Sequence, residues 1–203
     1  MDVAQKQDAG LQDSELIKEL KQRSQHAFRV LVEQQKDVVY NTCLGFLHNP
    51  QDAEDVTQEV FIQIFESIHE FREDASLSTW IYRIAVTKSL ELLRKRKRKK
   101  RMAYFKSILN LDAEPDDYED QQYFEPPGVA LENQERAEIL FRTIDTLPEN
   151  QRIAFVLHKV EGLSYKKVAE VMETSLSAVE SLIHRAKKNL KLRLKTYYEQ
   201  QDL

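Results

Sequence analysis

The acidic segment 110–135 constrains the fold of this chain more than any other feature of its sequence. NLDAEPDDYEDQQYFEPPGVALENQE holds nine carboxylates and neither Lys nor Arg, and Pro115 and the Pro-Pro-Gly sequence at 126–128 interrupt regular structure. A segment of this composition repels itself and stays extended, so it predicts a linker. Its acidity either keeps it soluble or lets it occupy a positively charged channel as a nucleic-acid mimic. The 203 residues then form two small domains.

Helices are predicted on both sides of this linker. Apolar residues recur three and four positions apart, and no stretch alternates as a strand would. We therefore predict an all-α fold of two small helical domains joined by an acidic flexible linker. The predicted boundaries are a disordered N-terminus over 1–12, a helical bundle over 13–105, the linker over 106–130 and a second domain over 131–203.

The composition also excludes several classes of protein. The single cysteine, Cys43, cannot form an internal disulfide and suits a reducing cytoplasm. No apolar run approaches the roughly 20 residues that span a membrane, and the N-terminus lacks a signal peptide, so we expect a cytoplasmic protein without membrane insertion. No phosphate-binding Gly loop or nucleophile motif is present, and the histidines lack ligand spacing. We expect no enzymatic activity, no metal site and no cofactor.

The run LSTWIYRIAVTKSLELLRKRKRKKR, at 77–101, predicts a helix that changes from aromatic to basic along its length. Ser78 is predicted to cap it, Trp80 and Tyr82 lie near its start, and eight consecutive basic residues occupy 94–101. Bases stack on aromatic rings and phosphates attract Lys and Arg, so this pattern is typical of a helix that binds melted nucleic acid. A core helix with a solvated basic tail explains the same pattern.

A helix with an acidic face precedes this run. Asn49 and Pro50 predict its N-terminus, since Asn caps helices and Pro fits the first helical position. In DAEDVTQEVFIQIF the apolar residues form one stripe, and four polar residues lie mainly off it: Asp55, Gln58, Glu59 and Gln63. An ordinary solvated face is the simplest interpretation of these four residues taken alone.

The C-terminal part contains a predicted helix-turn-helix. Ser164 is predicted to cap YKKVAEVM, and Ser177 to cap the longer helix that follows a turn of about four residues. Ala169 is small where the helices would cross. The second helix could enter a major groove with its N-terminal residues at base edges and its cations on phosphates. A plain helical hairpin is the alternative.

Three segments together resemble a known family. DAEDVTQEVFIQIF, STWIYRIAVTKSLELLRKRKRK and LPENQRIAFVLHKVEGLSYKKVAEVMETSLSAVESLIHRAKKNL look like a bacterial sigma factor of the sigma-70 family. The resemblance covers about 25–95 and 131–195. It is greatest to the extracytoplasmic-function (ECF, RpoE-like) group, which has only the second and fourth sigma domains. It implies that the chain binds core RNA polymerase and directs promoter recognition, DNA melting and transcription initiation.

The resemblance assigns roles to the faces described above. The β and β′ subunits of core polymerase would contact Asp55, Gln58, Glu59 and Gln63. Contacts to the −10 element, including unstacked bases, are expected from Phe71, Ser76, Trp80, Tyr82, Arg83, Thr87, Lys88, Arg94, Lys95 and Arg96. Contacts to the −35 element are expected from Ser175, Ser177, Ala178, Glu180, Ser181, His184, Arg185, Lys187 and Lys188. Promoter DNA and an anti-sigma factor are the other implied partners.

The sequence departs from the family pattern at a few positions. Many relatives carry Asn where Thr87 stands and Gly where Glu173 stands. Relatives often carry Lys and Arg where this chain has Glu180 and Leu182 on the recognition helix. A carboxylate is repelled by phosphates, and Leu cannot bond a guanine edge. Recognition of the −35 element is then weak, altered or replaced by recruitment through another factor.

Two alternatives of other classes remain at this stage. An ordinary helix-turn-helix regulator would account for the C-terminal half but leaves 50–101 without a purpose. A protein adaptor, brought to DNA by another factor, would use its helices mainly on proteins and would not start RNA synthesis on its own.

Overall fold

The computed structural model describes residues 14–108 and 131–201. The predicted disordered N-terminus over 1–12 and nearly all of the predicted linker lie outside the described residues. Helices and short connections account for both described ranges, which confirms the predicted all-α class. None of the described helices is both long enough and apolar enough to cross a membrane.

The N-terminal part is a bundle of four helices. Their bounds are 14–21 for α1, Gln25–Leu47 for α2, Pro50–Ser67 for α3 and Leu77–Ile108 for α4. The side chain of Ser24 accepts a hydrogen bond from the Ala27 N–H at 3.3 Å at the start of α2. Asn49 accepts one from the Asp52 N–H at 3.0 Å, so the predicted Asn-Pro start of α3 is confirmed.

Packing of α2, α3 and α4 against one another forms the core of this bundle. Each helix contributes side chains with almost no exposed surface: Leu31, Val39, Phe46, Val60, Ile64 and Ile81. Fully burying an aliphatic side chain of this size contributes about 1.5–3 kcal/mol. This burial fixes which faces of α3 and α4 remain at the surface.

The N-terminus of α4 lies two residues before the predicted one. Ser76, rather than Ser78, caps the helix, because its hydroxyl accepts the Thr79 N–H at 3.2 Å. The helix continues through the basic run to Ile108. Lys and Arg are good helix formers, and nothing in the run interrupts the backbone hydrogen bonds.

The C-terminal part contains four further helices. Their bounds are Leu131–Asp145 for α5, Glu149–Phe155 for α6, Tyr165–Val171 for α7 and Leu176–Gln201 for α8. A wider, π-helical turn at Val156–Val160 extends α6, and Gly162 follows it with φ of 70°. Only glycine adopts that conformation without strain, which explains the predicted stop at this residue.

The helix-turn-helix of α7 and α8 is confirmed. Ser164 caps α7 as predicted, by accepting the Lys167 N–H at 3.2 Å. The cap of α8 is Ser175 rather than Ser177, since its hydroxyl accepts the Ala178 N–H at 3.2 Å. Val168, Val179 and Ile183 form the shared core.

The two parts are in contact, which the sequence did not predict. Gly45 on α2 lies against the π-helical turn, so close that an added Cβ would be 3.2 Å from Val156 Cγ1 and 3.3 Å from Val160 Cγ1. The His48 ring stacks on Phe141 of α5, with ring centroids 4.3 Å apart. The missing side chain at position 45 therefore allows the C-terminal domain to approach α2 closely.

Candidate protein and nucleic-acid interfaces

The acidic face of α3 lies at the surface. Asp55, Gln58 and Glu59 are exposed and Gln63 is half-buried. Ile62, on the same helix, is 58% exposed. Singly exposed apolar side chains are common on protein surfaces, so Ile62 offers an apolar contact but does not by itself mark an interface. The face is therefore accessible to a partner that offers basic and apolar groups.

The three aromatic residues predicted to contact DNA differ in how deeply their side chains are buried. Phe71 is only 4% exposed, with its ring centroid 5.1 Å from that of Trp80. Its burial is at odds with the prediction that it contacts bases, because it already belongs to the core. Trp80 and Tyr82 are half-buried.

The middle of α4 presents three predicted DNA contacts on its surface. Thr87 is exposed, and Lys88 is half-buried with its Nζ 3.7 Å from Glu91 Oε2. Arg83 is also half-buried and points toward α7, as described below. Thr87 and Lys88 lie one position apart, so they extend from the same turn of the helix.

The basic end of α4 is mostly exposed, but two of its arginines have carboxylate partners. Arg96 makes a two-fold hydrogen bond with Asp52 of α3, at 2.6 and 2.5 Å. Arg94 bonds Glu149 at the start of α6, with Nε–Oε2 and Nη2–Oε1 distances of 3.1 and 2.5 Å. This hydrogen bonding lowers the pKa of Glu149. Lys95 is exposed.

Lys167 of α7 covers the N-terminus of α4. Its Nζ donates to the hydroxyls of Ser76, Ser78 and Thr79 at 2.9, 3.0 and 2.6 Å. Burial lowers the pKa of Lys167, the negative charge of Glu170 at 3.9 Å opposes this shift, and the positive charge of Arg83 adds to it. Ser76, a predicted −10 contact, is thus bonded by a residue of the helix-turn-helix.

Arg83 is also bonded by the helix-turn-helix. Its Nη2 donates to the backbone carbonyl of Glu170 at 2.8 Å, and its Nη1 lies 2.8 Å from Glu173 Oε1. Glu173 occupies the turn between α7 and α8 with φ of 52°. This is the left-handed conformation that favours Gly, so the predicted strain at this position is present.

A half-buried carboxylate lies between the two domains. Glu161 follows the π-helical turn, and the Thr42 hydroxyl on α2 donates to its Oε2 at 3.3 Å. Burial raises the pKa of Glu161, although the Thr42 hydrogen bond opposes the shift. The negative charge of Glu161 in turn adds to burial in raising the pKa of Tyr82 and of Cys43.

The recognition helix α8 presents its predicted DNA contacts on one continuous side. Ala178 is half-buried. The other predicted contacts are exposed: Ser175, Ser177, Glu180, Ser181, His184, Arg185, Lys187 and Lys188. Leu182 packs against the core instead. Its position removes it from the base-contacting side, so the departure from the family pattern that remains at this surface is the carboxylate of Glu180.

Over 14–108 and 131–201, no group of three or more His, Cys, Asp or Glu side chains is arranged to hold a metal ion.

Both domains match models of the same protein family. The model described as Sigma-70 region 2 matches 31–99, and that described as Sigma-70, region 4 matches 137–190. The first match ends within the basic run of α4, and the second contains the helix-turn-helix. Together they cover more than half of the chain.

Curated relatives align over most of the chain. It is 32% identical over 188 residues to the RNA polymerase sigma-H factor of Pseudomonas aeruginosa, covering 87% of this chain and 90% of that protein. It is 31% identical over 181 residues to the ECF RNA polymerase sigma-E factor of Escherichia coli strain K12, with 87% and 91% covered. The sigma-E factor of Haemophilus influenzae is 33% identical over 178 residues, with 87% and 92% covered.

Solved structures share the fold. CnrH, in complex with the cytosolic domain of CnrY, superposes with a TM-score of 0.62 at 22% identity, covering 91% of this chain and 97% of CnrH. The sigma factor RpoE of Bartonella quintana, in complex with the anti-sigma factor NepR, gives 0.55 at 18% identity, with 83% and 96% covered. With two region models in the family order and relatives above 30% identity, this chain belongs to the sigma-70 family of RNA polymerase sigma factors, and ECF sigma factors are among its relatives.

Proposed function

We propose that this chain is an ECF-type sigma factor that binds core RNA polymerase and directs promoter recognition, DNA melting and transcription initiation. The observation that carries the proposal is the presence of both sigma regions, in order, in a chain whose relatives are aligned over nine-tenths of their length. The polymerase performs the chemistry of RNA synthesis, and the chain supplies binding surfaces.

The acidic side of α3 is the proposed polymerase-binding surface. Asp55, Gln58 and Glu59 are exposed there, and Gln63 and Ile62 extend the surface. The Arg96–Asp52 pair ties the start of α3 to α4. A helix held in this way presents its carboxylates with little further loss of entropy on binding.

The first turns of α4 are the proposed −10 site. A base that leaves the duplex loses a few kcal/mol of stacking and pairing, which stacking on Trp80 or Tyr82 offsets by about 1–3 kcal/mol per base. Arg83, Thr87 and Lys88 would contact the separated strand or its backbone. Ser76 would contribute a hydroxyl, and the basic end of α4 would attract upstream phosphates through Arg94, Lys95 and Arg96.

The exposed side of α8 is the proposed −35 site. The hydroxyls near its start, on Ser175, Ser177 and Ser181, would approach base edges. His184, Arg185, Lys187 and Lys188 would lie along the backbone. Glu180 is a negative charge on this side, so we propose weak upstream recognition that another factor could supplement.

Regulation by an anti-sigma factor is part of the proposal. Both of the structures named above are complexes with a second protein, and in one of them the sigma factor RpoE is bound by the anti-sigma factor NepR. Work with RNA polymerase would place the chain in the cytoplasm. Membership in the family through region 2 as well as region 4 favours this function over a simple helix-turn-helix regulator or an adaptor.

Reconstitution with core polymerase tests the proposal. Purified chain and bacterial core enzyme should co-elute in gel filtration, and Asp55→Arg should abolish co-elution. Glu33→Arg on α2 is the matched control, because Glu33 is an exposed carboxylate outside the proposed surface. Equal co-elution of wild type and Asp55→Arg would contradict the assigned surface, and no co-elution of wild type would contradict the function.

A further inference from the structure

The loop that joins α3 to α4, residues 71–76, leads directly into the proposed −10 site. It begins at Phe71, whose ring centroid lies 5.1 Å from that of Trp80. It ends at Ser76, whose hydroxyl caps α4. Trp80 and Ser76 are both proposed −10 contacts, so the conformation of the α3–α4 loop affects where these two side chains lie.

Lys21 of α1 contacts this loop at two points. Its Nζ lies 2.6 Å from Glu73 Oε1 and 5.9 Å from the centroid of the Phe71 ring. A cation at this distance from an aromatic ring is attracted to it. Lys21 and Glu73 are 52 positions apart in the sequence, and α1 precedes the match to Sigma-70 region 2, which begins at residue 31.

We propose that Lys21 is a positioning residue of the −10 site: by contacting Glu73 and Phe71 it holds the α3–α4 loop in the conformation that presents Trp80 and Ser76 to the separated strand. The inference rests on the proposed function, which assigns Trp80 and Ser76 to DNA. In this role Lys21 acts through the loop and makes no contact with DNA itself.

The backbone of Glu73 supports this role. Its φ is 62°, in the left-handed region that residues with a Cβ seldom adopt. Such a conformation persists where the surrounding contacts hold it, and the ion pair with Lys21 is a contact of this kind. The two side chains are 33% and 50% exposed, so the pair changes an equilibrium by about fivefold or less.

The charge of Glu73 allows its role to be tested by the sign of an effect. Glu73 and Asp74 are adjacent exposed carboxylates, and a negative charge near DNA repels phosphates. If only this charge mattered, removing Glu73 would strengthen DNA binding. If Glu73 connects the loop to Lys21, removing it weakens binding even though a repelling charge is lost.

The fluorescence of Trp80 tests the contact without DNA, because Trp80 is the only tryptophan of the chain. Lys21→Met and Glu73→Ala should shift the emission maximum to longer wavelength, since a released loop packs less closely on the half-buried indole and admits water. Lys21→Arg, which retains the charge, should keep the wild-type emission. So should Lys18→Met, which removes an exposed cation of the same helix. Unchanged emission in both Lys21→Met and Glu73→Ala would overturn the inference.

Binding of a single strand tests the consequence for DNA. The probe is a labelled 20-nucleotide strand of mixed sequence, and fluorescence anisotropy reports its binding to the full chain assembled with core polymerase. Glu73→Ala should bind the strand about two- to fivefold more weakly than wild type. Asp74→Ala, the matched control, should bind it as tightly as wild type or more tightly. Equal affinities in Glu73→Ala and Asp74→Ala would overturn the positioning role.

Failure of the proposed function gives a different result. In that case the wild-type assembly would bind the strand no more tightly than core polymerase alone, while the emission of Trp80 would still distinguish Lys21→Met from Lys18→Met. Altered emission in Glu73→Ala together with wild-type affinity for the strand would instead overturn the positioning role and leave the proposed function standing.

Discussion

Arg83 of α4 and Glu173 of the α7–α8 turn form an ion pair of 2.8 Å between the two domains, and Glu173 has φ of 52°. On the proposed function, Arg83 belongs to the surface that binds the −10 region of a promoter, and Glu173 lies in the turn just before α8, whose exposed side would bind the −35 region. Their pairing therefore joins two parts of the chain that the proposed function assigns to different promoter elements.

Glu173→Gly should stabilise the C-terminal domain while loosening the contact between domains. Gly adopts the left-handed conformation without the steric cost of a Cβ, which is about 1–2 kcal/mol. Only part of this gain would be lost with the exposed ion pair. Thermal unfolding should therefore show an unchanged or raised midpoint. Fluorescence energy transfer between dyes on Lys36→Cys of α2 and Lys191→Cys of α8, two exposed positions, should decrease. A lower midpoint together with unchanged energy transfer would contradict both statements.

Glu180→Lys should strengthen binding to upstream duplex DNA. Replacing a carboxylate by an ammonium on the exposed side of α8 removes repulsion from phosphates and adds about one released counterion, so affinity should rise about three- to tenfold at low salt and depend more steeply on salt. Duplex binding measured across salt concentrations checks this, with Glu33→Lys as a control of equal charge change. The same affinity and salt slope as wild type would exclude α8 from the interface.

Acidification from pH 7.5 to 5 should favour, through Glu161, the closed form of the chain, in which the two domains are in contact. Burial in the closed form raises the pKa of this carboxyl above its ordinary value of 4.5, so the closed form binds a proton more readily than an open form does. The groups that feel its charge are Cys43 and Tyr82, and Thr42 is its hydrogen-bond donor. Burying the ionised Glu161 carboxylate costs free energy and so opposes closure. This cost is absent below pH 4.5 and grows as pH rises through the raised pKa.

Energy transfer measured against pH in wild type and Glu161→Gln isolates this effect. His48 and Asp145 also meet at the interface, with 3.6 Å between His48 Nε2 and Asp145 Oδ1, and they are the same in both proteins. The variant should be more closed than wild type at pH 7.5, and the difference should shrink toward pH 5. Parallel curves would show that Glu161 does not titrate with closure.

Much of the helical framework could be predicted from the sequence because local chemistry determines it. Asn49-Pro50, Ser164 and Gly162 marked helix ends correctly, and the periodic apolar residues marked the buried faces. The caps of α4 and α8 were each placed two residues late. In both cases Ser-x-Ser offers two hydroxyls, at 76 and 78 and at 175 and 177, and local sequence does not decide which one caps.

The contacts between the domains could not be predicted, since they join residues far apart in the sequence. Lys167 and Ser76 are separated by 91 positions, and Arg83 and Glu170 by 87. Nothing in the pattern around Gly45 indicates the turn that packs on it. Phe71 illustrates a related difficulty. An aromatic residue near a basic helix suits either a base or the core, and the sequence does not indicate that this side chain is only 4% exposed.

Transcription from a defined template tests the central claim most directly. Core polymerase, purified chain and a library of promoter fragments should yield RNA whose mapped 5′ ends share upstream sequence elements, with permanganate-reactive thymines near −10 showing strand separation. Asp55→Arg should yield neither product, whereas Glu33→Arg should yield both. RNA made equally well without the chain, or stable association with core polymerase that never opens a template, would contradict the account.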